Sequence, residues 1–559
     1  MNVIGGRVVL SPTDLAGHLA CRHLTRLELS AARGGEARPQ RTDPELDLLV
    51  RRGEAHERAQ LQRMLGDRLR AVHVGDHPET LDGLHAAEAE TLAAMRSGAD
   101  VVYQAAFFDG TWRGRADFLL RIDTPSRLGD WSYEVADAKL ARSVKVAALL
   151  QMCEYSLHVS RLQGTAPREM HVLLGSGARE THRVADYAAY HRAARRRLEE
   201  EVGSGRDDTY PEPVDHCGVC RWIDACTAQR RRDDHLSLVA GMRRDHIRRL
   251  RESGIETLAG LAVAPEPRIA DIGEAPWQRL RQQARLQVHE RSTGEQRYEL
   301  LPPERDGLGL SALPQPSPGD LFFDMEGDPF VLDGGLEYLF GVVEIVDGAP
   351  LFHRFWAHDR AEEKAAFESL VDLLVDRLAR DPSLHVYHYA SYEPAALKRL
   401  MGRHATREDE VDRLLRGGVL VDLYRAVAQG VRISKDSYSI KKLEHFYMPR
   451  RTESIADAAA SIVAYEEWLE SRRQSLLDGI EAYNRRDCES TWMLRGWLEQ
   501  RREELIAQGV PVPRPEPREA EPSEQLAAMA AETRERVEAL TRDVPADVAA
   551  RTPEEQARW

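Results

Sequence analysis

From Val101 to Ile122 apolar and polar residues alternate at period two around Asp109-Gly110, the pattern of a β-hairpin. A third strand is predicted in WSYEVADAKL, after a loop with Pro125 and Gly129. Helical spacing returns in VAALLQMCEYSLHV, followed by a short strand, MHVLLGSG, and a long Arg/Glu-rich helix at about 184–202. Upstream, residues 44–70 and 77–97 are polar and rich in helix formers, so the first module reads α, β, α. A second run of strands is predicted in LFFDMEG, EYLFGVVEIV, LFHRFWA and HVYHYA, and helices dominate after it. The whole is an α/β multidomain pattern, without an internal repeat.

Punctuation between these runs sets the boundaries. LVAGMRRDHIRRLRESGIETLAGLA reads as helix, Ser253-Gly254-Ile255, helix, and LPPERDGLGLSALPQPSPGD as a Pro/Gly-rich linker. The Pro/Glu-rich VPVPRPEPREAEPSEQ is expected to be disordered. The expected domains are therefore 1–232, a helical connector at 233–300, a linker at 301–318, a second α/β domain at 319–500, and a tail at 501–559 that ends in a helical stretch.

The chain has 559 residues and 42% apolar content, enough for separate cores, and a net charge of -15. That charge argues against a generally cationic nucleic-acid coat. It leaves room for a local basic groove, with Arg runs at 195–197 and 230–232. Six cysteines are too few for a disulfide scaffold. The first residues lack a basic region followed by an apolar core, and no apolar run has the length of a membrane span. A cytoplasmic protein with no membrane association is expected.

Three charged residues carry the first candidate chemistry. Asp117 lies on a predicted strand in GRADF; Asp137 and Lys139 are two apart in EVADAK and so share a strand face. Phosphodiester cleavage needs an oriented water, charge stabilisation and an assisted leaving group, and carboxylates holding Mg²⁺ or Mn²⁺ supply these. His56, on a helix, offers a nitrogen ligand; Gln151 and Tyr155 lie one turn apart on a helix and could face the substrate.

In order along the chain run Gly53-x-x-His56, Gly114-x-x-Asp117, Asp137-x-Lys139 and Gln151-x-x-x-Tyr155. This series resembles the RecB-like PD-(D/E)xK nucleases, whose restriction-endonuclease-like core it implies for residues 1–232. Cys217-x-x-Cys220, Cys226 and the remote Cys21 resemble the ligand set of the iron-sulfur members of that group, among them AddB-type and CRISPR-associated enzymes. The resemblance implies a 4Fe-4S cluster that staples the core; tetrahedral sulfur also suits zinc, with His23 nearby. Cys153 and Cys488 are expected to be packing residues. The connector resembles a helix-hairpin-helix unit, whose hairpin amides grip phosphate.

Asp324 and Glu326 alternate on one predicted strand, and Tyr483 and Asp487 lie one turn apart on a helix. This plan resembles the DEDD exonucleases of the ribonuclease H-like fold, and VYHYASYEPAALKRL extends the likeness to the YprB-type group. The resemblance implies ions held by Asp324, Glu326, a middle acid and Asp487, with Tyr483 aligning water. The middle acid departs from the pattern: Glu393 is the candidate in place of Asp, and Asp422 looks more like a helix cap.

Together these likenesses imply a metal-dependent DNA nuclease, an exonuclease on single-stranded or end-containing DNA, in repair, recombination or defence. Relatives of this composite type are often fused to a superfamily I helicase. No phosphate loop of an ATP motor occurs here, so a helicase is expected in cis or in trans. Two other readings are a non-catalytic nucleic-acid-binding scaffold for a helicase and an RNA-processing nuclease.

Overall fold

Two sheets organise the chain. A computed structural model describes all residues except 42, 206–207, 266–270, 333, 452–454, 456, 519, 522–523 and 546–549. It falls into two units: Met1–Val288 with Pro329–Gly335 and Asp457–Arg472, and His289–Asp328 with Leu336–Ala456 and Arg473–Trp559.

In the first unit six strands stand in sequence order: Ala71–His73, Val101–Phe108, Arg113–Ile122, Ser132–Lys139, Glu169–Leu174 and Arg179–Arg183. The middle three are antiparallel neighbours, whereas Ser132–Lys139 and Glu169–Leu174 run parallel. A parallel pair needs a crossover, here the helix Val146–Gln163, which ends at left-handed Gly164. Leu149, Met152 and Val159 of that helix pack on one sheet face with Leu119 and Val135. Leu61 and Met64 of the helix Pro44–Gly66 cover Phe118, Ala136 and Leu173 on the other. Asp43 caps that helix and Pro44 occupies its first turn, where a missing N–H costs nothing. The inserted helix Ala458–Ser471 belongs to this unit, where its Glu466 ion-pairs with Arg52.

The second unit holds a five-stranded sheet in the order Ala349–Trp356, Leu336–Val346, Leu321–Asp328, Val386–His388, Leu420–Asp422. The first three are antiparallel and the last two pairings parallel. Phe323 and Met325 face a core shared with the helix Arg360–Arg380. Phe322 faces the opposite core with Cys488 and Leu494 of the helix Gln474–Ala507.

Several expectations change. The stretch 301–318 is not a loose linker: Leu310, Ser311 and Leu313 are fully buried, and Leu310 shares a core cluster with Val427. The Pro/Glu-rich tail is tied down near its start. Val512 is buried, and Arg514 donates to Glu499 (2.6 and 2.7 Å), Leu313 O (3.2 Å) and Pro314 O (3.0 Å). The helical hairpin forms, but its amides are already taken. Gly254 and Ile255 donate to Arg251 and Leu250 carbonyls at 2.9 Å. Leu258 and Ala259, opening the next helix, donate to Asp234 at 2.8 and 2.7 Å. The phosphate grip implied by the helix-hairpin-helix likeness is thus not on offer at those amides. Strands Asn2–Ile4, Arg7–Val9, Ala71–His73, Arg179–Arg183 and Leu420–Asp422 were not foreseen.

Candidate active sites

The ladder between Arg113–Ile122 and Ser132–Lys139 stops at the pair Phe118–Ala136. Asp117 and Asp137 therefore stand where the strands part, and Asp117 Oδ2 accepts the freed Ala138 amide at 2.8 Å. Asp137 is 1% exposed and ion-pairs with Lys139 Nζ. Burial, then the charge of Asp137, push Asp117 up to about 9, so the pair shares one proton in the absence of a cation. Burial alone would depress Lys139, but Asp137 and Asp117 outweigh it and hold the ammonium above its ordinary range. Lys139 is thus a fixed cation beside the carboxylates.

Gln151 Nε2 donates to Tyr155 Oη at 2.7 Å. Tyr155 is buried; burial, then Asp137, raise its hydroxyl far above the usual range, and its ring lies against Gly114. His56 Nε2 lies 3.0 Å from Leu173 O. A carbonyl only accepts, so Nε2 carries the proton and Nδ1 keeps a lone pair for a ligand. A Cβ on Gly53 would meet nothing within 4 Å, so nothing in the structure explains that glycine. Sequence reasoning passed over Glu57, whose charge acts on Asp117 and Lys139.

Cys21, Cys217, Cys220 and Cys226 line one pocket with Leu24, Val214 and Trp222, and all four thiols are free. The Val214 amide points at Cys217 Sγ, 3.4 Å away. Burial, then Cys220, Cys21 and Cys217, push Cys226 up to about 11. Four convergent thiols that raise one another's proton affinity are a donor set for a cation, which binds thiolates and reverses that shift. His23 faces the same pocket but its Nδ1 is within hydrogen-bond reach of Thr209 Oγ1 (2.9 Å). Cys153 and Cys488 are buried in the two cores.

In the second unit, carboxylate oxygens of Asp324, Glu326 and Asp487 lie within 4.8 Å of one another. Burial, then Asp487, Glu326 and Glu393, raise Asp324 well above the carboxylate range. Three crowded acids with no cation between them behave this way. Arg451 bonds to Asp487 and Glu444 and, with Lys441, faces the Tyr483 ring. Tyr483 is itself raised, by burial and then Asp487. Asn484 Nδ2 donates to Asp324 Oδ2 at 2.8 Å. Glu393 is 3% exposed and stands apart from the trio: its Oε2 faces His388 Nδ1 at 3.5 Å. Asp422 caps the helix Leu423–Gly430, its Oδ1 accepting the Tyr424 and Ala390 amides at 2.9 Å. His388, Asn484, Arg451 and Lys441 escaped sequence reasoning because no spacing links them to the acids.

Among the described residues no helix is long and apolar enough to cross a membrane. No curated protein matches the chain. Residues 321–499 match a family model described as RNase_H superfamily, and this span contains the five-stranded sheet and the Asp324, Glu326 and Asp487 cluster. The chain is a mixed α/β multidomain protein that carries an RNase H-like domain at 321–499.

Proposed function

We propose that the chain is a divalent-metal-dependent nuclease with two active modules, a RecB-like PD-(D/E)xK module in residues 1–232 and a DEDD-type module in 319–500. The observation that supports this best is the meeting of Asp117, Asp137 and Lys139 at the point where two strands part. Mg²⁺ or Mn²⁺ bound there would supply charge for the phosphate and activate water. In the absence of that ion, Asp117 holds a proton that it must release to bind. Lys139 neutralises developing charge, and Tyr155, fixed by Gln151, borders the strand path. His56 Nδ1 completes the first ligand set.

In the second module Asp324, Glu326 and Asp487 hold the ions and Tyr483 orients the water. Glu393, engaged by His388, makes this the slower module. Cys21, Cys217, Cys220 and Cys226 hold a 4Fe-4S cluster. The four sulfurs share one pocket, yet they are not among the ligand sets that close to within 4.8 Å. Tetrahedral zinc, at about 2.3 Å from each sulfur, would draw them closer than that. The cluster's role is to tie the first helices to the 217–226 run. The substrate is DNA with free ends, delivered by a helicase, in repair, recombination or defence.

The test is nucleotide release from end-labelled single-stranded DNA and from matched RNA, with Mn²⁺ and with chelator. Metal-dependent release, faster on DNA, is expected. Binding without release in any metal would favour a scaffold, and preference for RNA would favour the RNA-processing reading.

A further inference from the structure

The first unit's sheet is distorted at one residue, Gln104. The ladder pairs Tyr103 with Phe118 and Ala105 with Ala116 but skips the pair between them, Gln104 and Asp117. Gln104 takes φ 57°, left-handed backbone that a glutamine rarely adopts and that persists where surroundings enforce it. The alternation of the strand resets there: Val102 and Ala105, three apart, reach the same core cluster. The side chain so redirected goes to Glu57, with Nε2 donating to Oε1. The Tyr103 hydroxyl, pushed up to about 12 by burial and then by Glu57, bonds to the same carboxylate. Two donors from one distorted strand thus hold Glu57, and its charge acts on Asp117.

We infer that Glu57 is a further metal-ligating carboxylate of the first site, binding a second divalent cation (Mg²⁺ or Mn²⁺) that shares Asp117 with the first. This deepens the nuclease reading and rests on it. Two oxygens on one octahedral Mg²⁺ lie at most about 4.2 Å apart, twice the usual metal–oxygen distance. Asp324, Glu326 and Asp487 meet within 4.8 Å, but Glu57, Asp117 and Asp137 are not among the sets that do. A single ion therefore does not serve all three acids. Asp117, on which both Glu57 and Asp137 act, is the carboxylate that two ions can share. A second ion supplies charge to the other side of the scissile phosphate. Gln104 is the positioning residue: its strained backbone aims the amide that fixes Glu57.

The experiment is Mn²⁺ titration followed by electron paramagnetic resonance. It uses the full chain carrying Asp324→Asn and Asp487→Asn, which silence the second unit's acids. This parent is expected to bind two Mn²⁺, its Glu57→Gln variant one, and its Asp137→Asn variant to lose the first ion. Gln104→Gly relieves the backbone, so its thermal midpoint holds or rises while the second Mn²⁺ weakens by about 10- to 100-fold. Two ions retained at full affinity in Glu57→Gln, with loss in Asp137→Asn, would overturn the inference and leave the nuclease reading standing. No Mn²⁺ bound by the parent would overturn both.

Discussion

The Tyr155 ring occupies the space where a side chain on residue 114 would begin: a Cβ on Gly114 would lie 2.8 Å from Tyr155 Cε1 and 2.9 Å from Cδ1. The glycine of the Gly114-x-x-Asp117 motif and the tyrosine of Gln151-x-x-x-Tyr155 are therefore one packed unit, joining the Asp117 strand to the crossover helix. Gly114→Ala must displace the ring. We predict a loss of about 1–3 kcal/mol in stability and a larger proportional loss of first-module cleavage, because Gln151 follows the displaced hydroxyl. A thermal melt beside a cleavage assay checks this; an unchanged melt and unchanged rate would contradict it.

Asp117 gives the metal-free protein a pH signature. Its folded value, about 9, lies above that of an unfolded aspartate. Its contribution is fully present below about pH 4 and is lost as pH rises through about 9. A cation replaces the lost proton. The rise in melting temperature on adding Ca²⁺ should be larger at pH 8.5 than at pH 5.5, and Asp117→Asn should flatten the difference. An equal rise at both pH values would contradict the coupling.

Cys21 is the remote member of the thiol pocket, joining the first helices to the 217–226 run. Anaerobically purified protein should be brown, with roughly four irons and four sulfides per chain, as a 4Fe-4S cluster requires. Cys21→Ser should lose most visible absorbance and destabilise the first unit, whereas Cys153→Ser, in the sheet core, should keep the colour. Colourless protein that holds zinc would contradict the cluster.

Gly341 does in the second unit what Gly114 does in the first. It pairs with Asp324 across the ladder, and a Cβ there would lie 1.7 Å from Asn484 Oδ1. The long helix bearing Tyr483 and Asp487 can approach Asp324 only over a glycine. Gly341→Ala should push that helix off the sheet and abolish second-module cleavage while sparing the first. Retained second-module cleavage would contradict this.

What sequence could and could not reveal follows from how far each signal reaches. Asp137 and Lys139 are two apart on one strand, and Tyr483 and Asp487 one turn apart on one helix, so local geometry pairs them. Glu57 depends on the backbone of Gln104, an unusual conformation that no composition announces. His388 and Arg451 meet their acids across separate elements, and Glu393 turns to His388 rather than to the trio. Proline and glutamate counts describe chain entropy, so they missed the Arg514 hydrogen bonds that fasten the tail. Three-residue strands such as Ala71–His73 are too short to show a period.

The most direct measurement is cleavage of end-labelled single-stranded DNA in Mn²⁺ by four proteins: wild type, Asp137→Asn, Asp324→Asn and the double variant. Two separate sites predict that each single variant keeps part of the activity and that the double variant loses it by at least about a thousandfold, the scale expected when bound metal no longer assists. Wild-type rates in the double variant, or no metal-dependent cleavage by wild type on DNA or RNA, would contradict the account.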